Sequence, residues 1–225
     1  EVVNKLPDMQ KEYGGGYSLV ARTINGKSYL TPNYSIDESW GPKYDPSIQH
    51  VSWYDLAKWE AGGQVGDPTT SPWIAPKHDI EDFFETGYSF TNNITLSQAT
   101  DKASLRLSYT NSTLNGYMPN SKLDKNIFNV SGSIKPSNVY ELFTNFTYLN
   151  QAAKGRSETG YGDNNVMQKF IQWGQRQLDM QELKNLYMYP DGTQAGWNRN
   201  SVTDPTMAYS NNPYWSRYMN YQNDT

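Results

Sequence analysis

The sequence of 225 residues has no cysteine, which excludes disulfide bonds and thiolate catalysis. It also has no run of about 20 apolar residues, so no transmembrane helix is expected. No segment has the basic, apolar and small-residue order of a signal peptide, and we expect a processed or truncated start. Positive charge is sparse: the net charge is -4, so we expect no nucleic-acid partner.

Aromatic residues, in contrast, are plentiful. Only 36% of the residues are hydrophobic, yet 14% are aromatic, with 18 Tyr and 7 Trp. Disordered chains are depleted in such residues. The composition therefore predicts an ordered protein.

Residues 1–82 are predicted to be a long loop region. The glycine run Gly14–Gly16 and the six prolines from Pro32 to Pro76 interrupt any regular pattern. A loop of this length without elements of its own is uncommon unless it is functional or disordered. The aromatic residues between Trp40 and Trp59 favour a functional loop.

Residues 83–150 are predicted to contain four strands that form two hairpins. Apolar and polar residues alternate with the period of two that strands require. The predicted strands are Thr86–Ser97, Ala103–Thr110, Phe128–Lys135 and Val139–Asn150. A polar connection, Asn111–Lys125, separates the second strand from the third, and a tight turn at Pro136–Asn138 joins the third to the fourth.

Residues 151–225 are predicted to be a second long loop that contains short helices. Apolar residues recur at helical spacing between Val166 and Leu178. Asp179 and Glu182 are spaced as a capping box before a second helix. Asp191-Gly192 predicts a turn, and the tail up to Tyr218 is aromatic without a regular period.

The strands alone fit a soluble β-sandwich as well as a membrane barrel. The predicted connections alternate between short and long, as in bacterial outer-membrane barrels. On that interpretation an aromatic girdle faces lipid near the outer strand ends, made of Tyr88, Phe90, Tyr109, Phe128 and Tyr148. The alternative is that these rings fill a soluble core. Four strands cannot close a barrel, so the barrel interpretation requires a larger parent protein.

Several passages resemble the SusC/RagA-type TonB-dependent outer-membrane transporters. They extend over nearly the whole chain in the family's order and spacing. The passages are Leu6-Pro7 to Tyr13-Gly14, Asp37–Asp45, Asp82–Gly87 running into Thr91–Asn93, Arg106–Thr110 followed by Gly116, Pro119-Asn120 and Asn126, and Asn212–Trp215.

The resemblance implies an all-β fold, as part of a large antiparallel transmembrane β-barrel of about 22 strands with long extracellular loops. It implies a location in the bacterial outer membrane, in contact with lipid. It also implies import of oligosaccharides or peptides with a SusD-like surface lipoprotein, powered by the TonB energy-transducing complex through a plug region. These residues show neither plug nor TonB box.

Two groups of side chains contain the residue types that bind metal ions or act in catalysis. His50 and His78 lie far apart without ligand spacing around them. The acidic residues Asp79, Glu81, Asp82 and Glu85 lack the pattern of a calcium loop. We therefore expect no metal, no cofactor and no enzymatic activity.

Loop aromatics are the predicted substrate contacts, because flat rings stack on sugar faces with little loss of side-chain entropy. The residues are Trp40, Trp53, Trp59, Trp73, Trp173, Trp197 and Trp215. The competing interpretation is that these rings pack the loops or dock a partner. A soluble, surface-exposed carbohydrate-binding β-domain remains the alternative function.

Overall fold

The computed structural model describes residues 6–156, 158–219 and 222–224. The remaining residues of the predicted loop regions 1–82 and 151–225 lie outside the described part. The fold is predominantly β, with 38% of residues in strands and 15% in helices, and its sheets are antiparallel. This confirms the predicted fold class at that level. Among the described residues no helix is long and apolar enough to cross a membrane.

The chain divides into two units. The first, here called the loop unit, comprises Glu1–Phe84 and Ser157–Asn220. The second, the sheet unit, comprises Glu85–Arg156 and Tyr221–Thr225. The two regions predicted to be separate long loops thus form one folded unit.

The loop unit contains two small sheets and several short helices, so the expectation that residues 1–82 lack regular elements is wrong. Strands β1 (Leu19–Ile24) and β2 (Lys27–Pro32) form one hairpin, and β3 (Asp45–His50) pairs with β4 (Ser71–Trp73). The helices are α1 (Trp53–Ala61), a 3-10 turn (Ile80–Phe83), α2 (Val166–Gln168), a π-helical turn (Lys169–Trp173), α3 (Met180–Asn185) and α4 (Pro213–Tyr218).

Local sequence signals explain several of these elements. Asn25 and Gly26 both have positive φ and form the two-residue turn between β1 and β2, as Asn-Gly pairs do in hairpins. Asp179 caps α3 by accepting from the amides of Gln181 and Glu182, which confirms the predicted helix start. The predicted turn at Asp191-Gly192 is present, with the Gly192 amide donating to the Tyr189 carbonyl at 2.9 Å.

Two helix predictions need correction. The helical pattern predicted over Val166–Leu178 ends at Trp173, because Gly174 adopts an extended conformation. The tail predicted as irregular contains α4, which begins at Pro213 and is capped by the Asn212 side chain accepting from the Tyr214 amide at 2.9 Å.

Aromatic packing joins the two chain segments of the loop unit. The ring of Phe83 meets that of Phe170 at 4.9 Å and that of Tyr214 at 5.1 Å between centroids. Phe83 and Tyr214 are almost completely buried, as are Leu56 and Leu183. Burial of these side chains supplies the hydrophobic stabilisation of the loop unit.

The sheet unit is a five-stranded antiparallel sheet in sequence order. Its strands are β5 (Tyr88–Ala99), β6 (Ala103–Asn115), β7 (Lys122–Ile134), β8 (Leu142–Arg156) and β9 (Gln222–Asp224). Strands β5 to β8 confirm the four predicted strands and their two hairpins. Of these, β6, β7 and β8 are each longer than predicted. Strand β9 was not predicted.

The connections between the strands of the sheet unit differ in length from those predicted. Only residues 116–121 join β6 to β7, so the predicted long connection Asn111–Lys125 is wrong. The connection from β7 to β8, residues 135–141, is of similar length. The long connections that remain are those before β5 and after β8, and both leave the sheet at the end that carries residues 116–121.

The two faces of the sheet differ sharply in chemistry. Directly opposed residues share a face, and Ile94, Tyr109, Phe128 and Tyr148 form one such row. We call this side the apolar face. Its other apolar members are Tyr88, Phe90, Leu96, Leu105, Leu107, Val130, Ile134, Leu142 and Phe146.

The opposite side, the polar face, carries mainly hydroxyl and amide groups. Thr91 hydrogen-bonds Ser112 at 2.9 Å, and the Asn93 amide donates to the Thr110 hydroxyl at 2.6 Å. The Asn129 amide donates to Asn145 at 2.9 Å. The sheet unit is therefore amphipathic across its thickness.

The predicted girdle is partly displaced. Tyr88 and Phe90 lie at the beginning of β5, as expected for outer strand ends. Tyr109, Phe128 and Tyr148 lie near the middle of their strands, because the strands extend further than the alternation of residues indicated. A row of four asparagines follows directly above them: Asn92, Asn111, Asn126 and Asn150. The three rings therefore mark the border of the apolar face, not the strand ends.

Candidate functional site

The seven tryptophans proposed as substrate contacts have very different surroundings, although all lie in the loop unit. Trp40 is 61% exposed and packs against Tyr13 at 5.6 Å. Trp59, Trp173 and Trp215 are partly exposed. These four retain ring surface on which a ligand could stack.

Trp73, one of the predicted substrate contacts, is fully buried and leaves no ring surface on which a ligand could stack. Its ring lies against Tyr44 and His50, and its indole N–H donates to the Pro42 carbonyl at 3.2 Å. Gly14 lies so close to the ring that an added Cβ would be 2.1 Å from a ring carbon. Trp73 is therefore a core residue that anchors the N-terminal segment.

Trp53 and Trp197 are also buried, but both line one cavity of about 380 Å³ within the loop unit. This volume falls in the range of roughly 300–1,000 Å³ that is typical of ligand sites. The lining residues that matter for its chemistry are Tyr34, His50, Trp53, His78, Glu182 and Trp197. We take this cavity as the candidate site.

One wall of the cavity is fixed by the start of α1. The Ser52 hydroxyl accepts from the Asp55 amide at 3.0 Å, and the Asp55 carboxylate accepts in return from the Ser52 hydroxyl at 2.8 Å. The same carboxylate accepts from Ser71 at 2.7 Å and Thr69 at 3.0 Å. These bonds tie α1 to β4 and thereby fix the position of Trp53.

A second part of the cavity wall is fixed by Asp179. Besides capping α3, its carboxylate accepts from the backbone amides of Lys77 at 3.1 Å and His78 at 3.0 Å. The His78 ring nitrogen Nδ1 lies 3.1 Å from the same carboxylate. Asp179 therefore serves the architecture, because its oxygens are already engaged by these partners.

Glu182 differs from Asp179. No hydrogen bond or ion pair reaches its carboxylate from any residue that the structure describes. Burial, followed by the negative charges of Asp179 and Asp55, raises the pKa of Glu182 to about 7. The cavity therefore holds one acidic group whose bonding capacity is unused.

Two further polar atoms at the cavity residues lack partners. His50 Nδ1 and Trp53 Nε1 are buried and have no hydrogen-bond partner among the described residues. Burial lowers the pKa of the His50 imidazole, so the ring is neutral at pH 7. Unsatisfied buried polar groups are rare in folded proteins and frequently mark functional positions.

The two histidines, which the sequence separates widely, both line this cavity. Even so, nowhere in residues 6–156, 158–219 and 222–224 does a group of three metal-binding side chains come together. Of the acidic cluster, Asp79 is engaged by Arg176 Nη2 at 3.1 Å and by Lys11 at 3.2 Å. These ion pairs give Asp79 a structural role.

The sequence interpretation missed His50, His78 and Glu182 as members of one site. Only the capping spacing of Asp179 and Glu182 pointed toward this part of the chain. The remaining proximity arises from contacts between residues more than 100 positions apart, such as Asp179 with His78. No local pattern records such contacts.

Comparison with known proteins adds no family assignment: no family model and no curated protein matches this chain.

Proposed function

We propose that the chain is a segment of a bacterial outer-membrane β-barrel transporter of the SusC/RagA, TonB-dependent type. In this proposal the sheet unit is barrel wall, part of about 22 strands in the parent protein. The parent imports oligosaccharides or peptides together with a SusD-like surface lipoprotein, using energy from the TonB complex. The sequence passages described above support the family, and the amphipathic sheet supports the membrane role.

The observation that carries the proposal is the exposure of the apolar face. Eleven of its large hydrophobic side chains, among them Ile94, Phe128 and Phe146, are 42% to 66% exposed. Soluble monomers rarely expose such a contiguous apolar surface. A lipid bilayer accounts for that exposure, since outer-membrane strands direct apolar residues outward and polar residues toward the lumen.

The dimensions of the apolar face are of the right order. Six residue steps separate Ile134 from Phe128, which is about 20 Å at ~3.3 Å per residue. Outer-membrane barrels carry an apolar band about 25 Å tall. The face reaches Tyr88 on β5 but stops at Tyr148 on β8, and strands tilted to the membrane produce such an offset.

The border of the apolar face also fits a membrane interface. The Tyr109 hydroxyl donates to Asn126 at 2.7 Å, and Asn111 donates to the same oxygen at 3.0 Å. Tyrosines of an interfacial girdle place the ring in the apolar region and the hydroxyl among polar groups. We propose that the rings of Tyr88, Phe90, Tyr109, Phe128 and Tyr148 face lipid.

The soluble alternative, a carbohydrate-binding β-domain, draws support from the loop unit, which buries a core of its own and contains the cavity. Detergent dependence distinguishes the two functions. The transporter proposal predicts that the protein requires detergent or lipid to remain monomeric and β-rich. A monomeric, β-rich protein in plain buffer, judged by light scattering and circular dichroism, would support the soluble alternative.

A further inference from the structure

The cavity of the loop unit combines aromatic walls with one carboxyl group that no described residue engages. Tyr34, Trp53 and Trp197 line it, and each is at most 4% exposed. Glu182 is the cavity residue whose carboxylate is not engaged in the described part of the chain. Aromatic rings and a carboxylate together are the groups that proteins use to bind organic cations.

The local charge balance also favours a cation. Two neighbouring carboxylates, Asp179 and Asp55, raise the pKa of Glu182, and Lys58 opposes them. Among the lining residues, one lysine, Lys77, stands against the two carboxylates of Asp179 and Glu182. Lys58 already lies 3.3 Å from Asp55. An ammonium group next to Glu182 would therefore gain attraction from a site that its own residues leave negative.

The two buried atoms without partners suggest what lies next to the cation. Trp53 Nε1 can only donate a hydrogen bond, and an oxygen on the ligand would accept it. His50 Nδ1 can accept one in the neutral tautomer that carries its proton on Nε2. A ligand that carries both an ammonium group and a carbonyl or hydroxyl oxygen offers a partner to the Glu182 carboxylate and to the unpartnered ring nitrogens of the other two lining residues.

We propose that this cavity binds a ligand carrying a primary ammonium group beside an oxygen acceptor, with Glu182 as the anion that holds the ammonium. Two sources share this chemistry: the amino end of a peptide and an amino sugar. The proposal concerns the cavity alone and is independent of whether the sheet unit lies in a membrane.

The test measures ligand binding to the intact protein by saturation-transfer NMR at pH 7. The probes are L-alaninamide for the peptide source and glucosamine for the sugar source. Each has a neutral partner of nearly the same shape, N-acetyl-L-alaninamide and N-acetylglucosamine. We expect at least one free amine to bind at least tenfold more tightly than its acetylated partner, as a charge-assisted hydrogen bond predicts.

Two variants connect the binding to the cavity. Glu182→Gln preserves the size of the side chain but removes its charge, and we expect it to abolish the tenfold preference. Glu81→Gln changes an exposed carboxylate that does not line the cavity and is expected to leave binding unchanged. Because Glu182 has a pKa of about 7, its neutral form is already tolerated, so the Gln variant should fold.

Each outcome decides the proposal. Preference for alaninamide indicates a peptide source, and preference for glucosamine indicates an amino sugar. Equal binding of free and acetylated probes, binding of neither amine, or a preference that persists in Glu182→Gln would overturn the proposal. Circular dichroism of the variant confirms that any loss is not caused by unfolding. The binding results do not depend on whether the protein needs detergent to remain monomeric. Failure of the cavity proposal is therefore distinguishable from failure of the proposed transport function.

Discussion

Arg199 and Glu60 form an ion pair that connects the C-terminal segment of the loop unit to α1. The guanidinium donates to both carboxylate oxygens, from Nη1 at 2.8 Å and from Nη2 at 2.6 Å. Tyr189 donates to the same carboxylate at 2.7 Å, and Arg199 is 1% exposed. A buried polar network between residues 139 positions apart thus joins the two chain segments of the loop unit.

Removing Arg199 should therefore destabilise the loop unit strongly. Arg199→Met leaves the Glu60 carboxylate without its cation, and breaking a buried pair in this way costs about 3–5 kcal/mol. Urea unfolding followed by tryptophan fluorescence measures the change, since all seven tryptophans lie in the loop unit. The double variant with Glu60→Gln should recover part of the loss, and a single variant as stable as the parent would refute the role of the pair.

The contact between Gly14 and Trp73 gives a second prediction. A methyl group at position 14 would collide with the fully buried ring, so Gly14→Ala should cost about 1–3 kcal/mol through overpacking. Gly162→Ala is the matched control, because an added methyl group meets only the flexible Glu158 side chain there. Equal midpoints of urea unfolding for the two variants would contradict this packing.

The stability of the loop unit should depend on pH through Glu182. Burial raises its pKa to about 7, above the ordinary value of 4.5, so the folded state binds more protons than the unfolded state between these values. Stability should therefore fall as pH rises from about 5 to 7, when the carboxylate ionises. Between pH 5 and 7, the thermal midpoint of Glu182→Gln should no longer fall as pH rises. The midpoint of the control variant Glu81→Gln should still fall. An unchanged slope would show that another group is responsible.

Exposure separates the tryptophans into functional and structural candidates. Trp73→Ala should unfold or greatly destabilise the loop unit, because loss of a buried indole costs about 3–5 kcal/mol. Trp40→Ala should leave the free energy of unfolding within about 0.5 kcal/mol of that of the unsubstituted protein. If the proposed transport function holds and Trp40 contacts substrate, uptake by the parent protein should fall in that variant. Unchanged uptake would remove Trp40 from the binding surface.

The sheet was more predictable from the sequence than the loop unit. The alternation of apolar and polar residues located β5 through β8, because one face of the sheet is apolar and the other polar in the strand halves far from residues 116–121. It failed toward the 116–121 end, where one face carries Asn111 and Thr113 while the other mixes Thr110 and Ser112 with Leu114, so that the two faces no longer differ clearly in hydrophobicity. The backbone pairing continues there without a change in hydrophobicity, so the pattern ended before the strand did.

The loop unit was underestimated for a different reason. The Asn25-Gly26 turn and the Ser52 cap are local signals that a closer examination of the sequence would identify. The core and the cavity are not local, since Phe83 with Phe170 and Asp179 with His78 are distant in sequence. The frequent prolines and glycines of these chain segments predicted loops, whereas tertiary contacts hold the segments in a defined fold.

The orientation of the sheet in a membrane is the central claim, and adjacent residues on opposite faces test it directly. Val130 lies on the apolar face and Ser131 on the polar face. The absence of cysteine in these residues permits single substitutions, Val130→Cys and Ser131→Cys, each labelled with bimane in the parent protein reconstituted into bilayers. We predict that nitroxide-bearing lipids quench the label at position 130 strongly and the label at position 131 weakly. Equal quenching at the two positions, or stronger quenching at 131, would contradict the account.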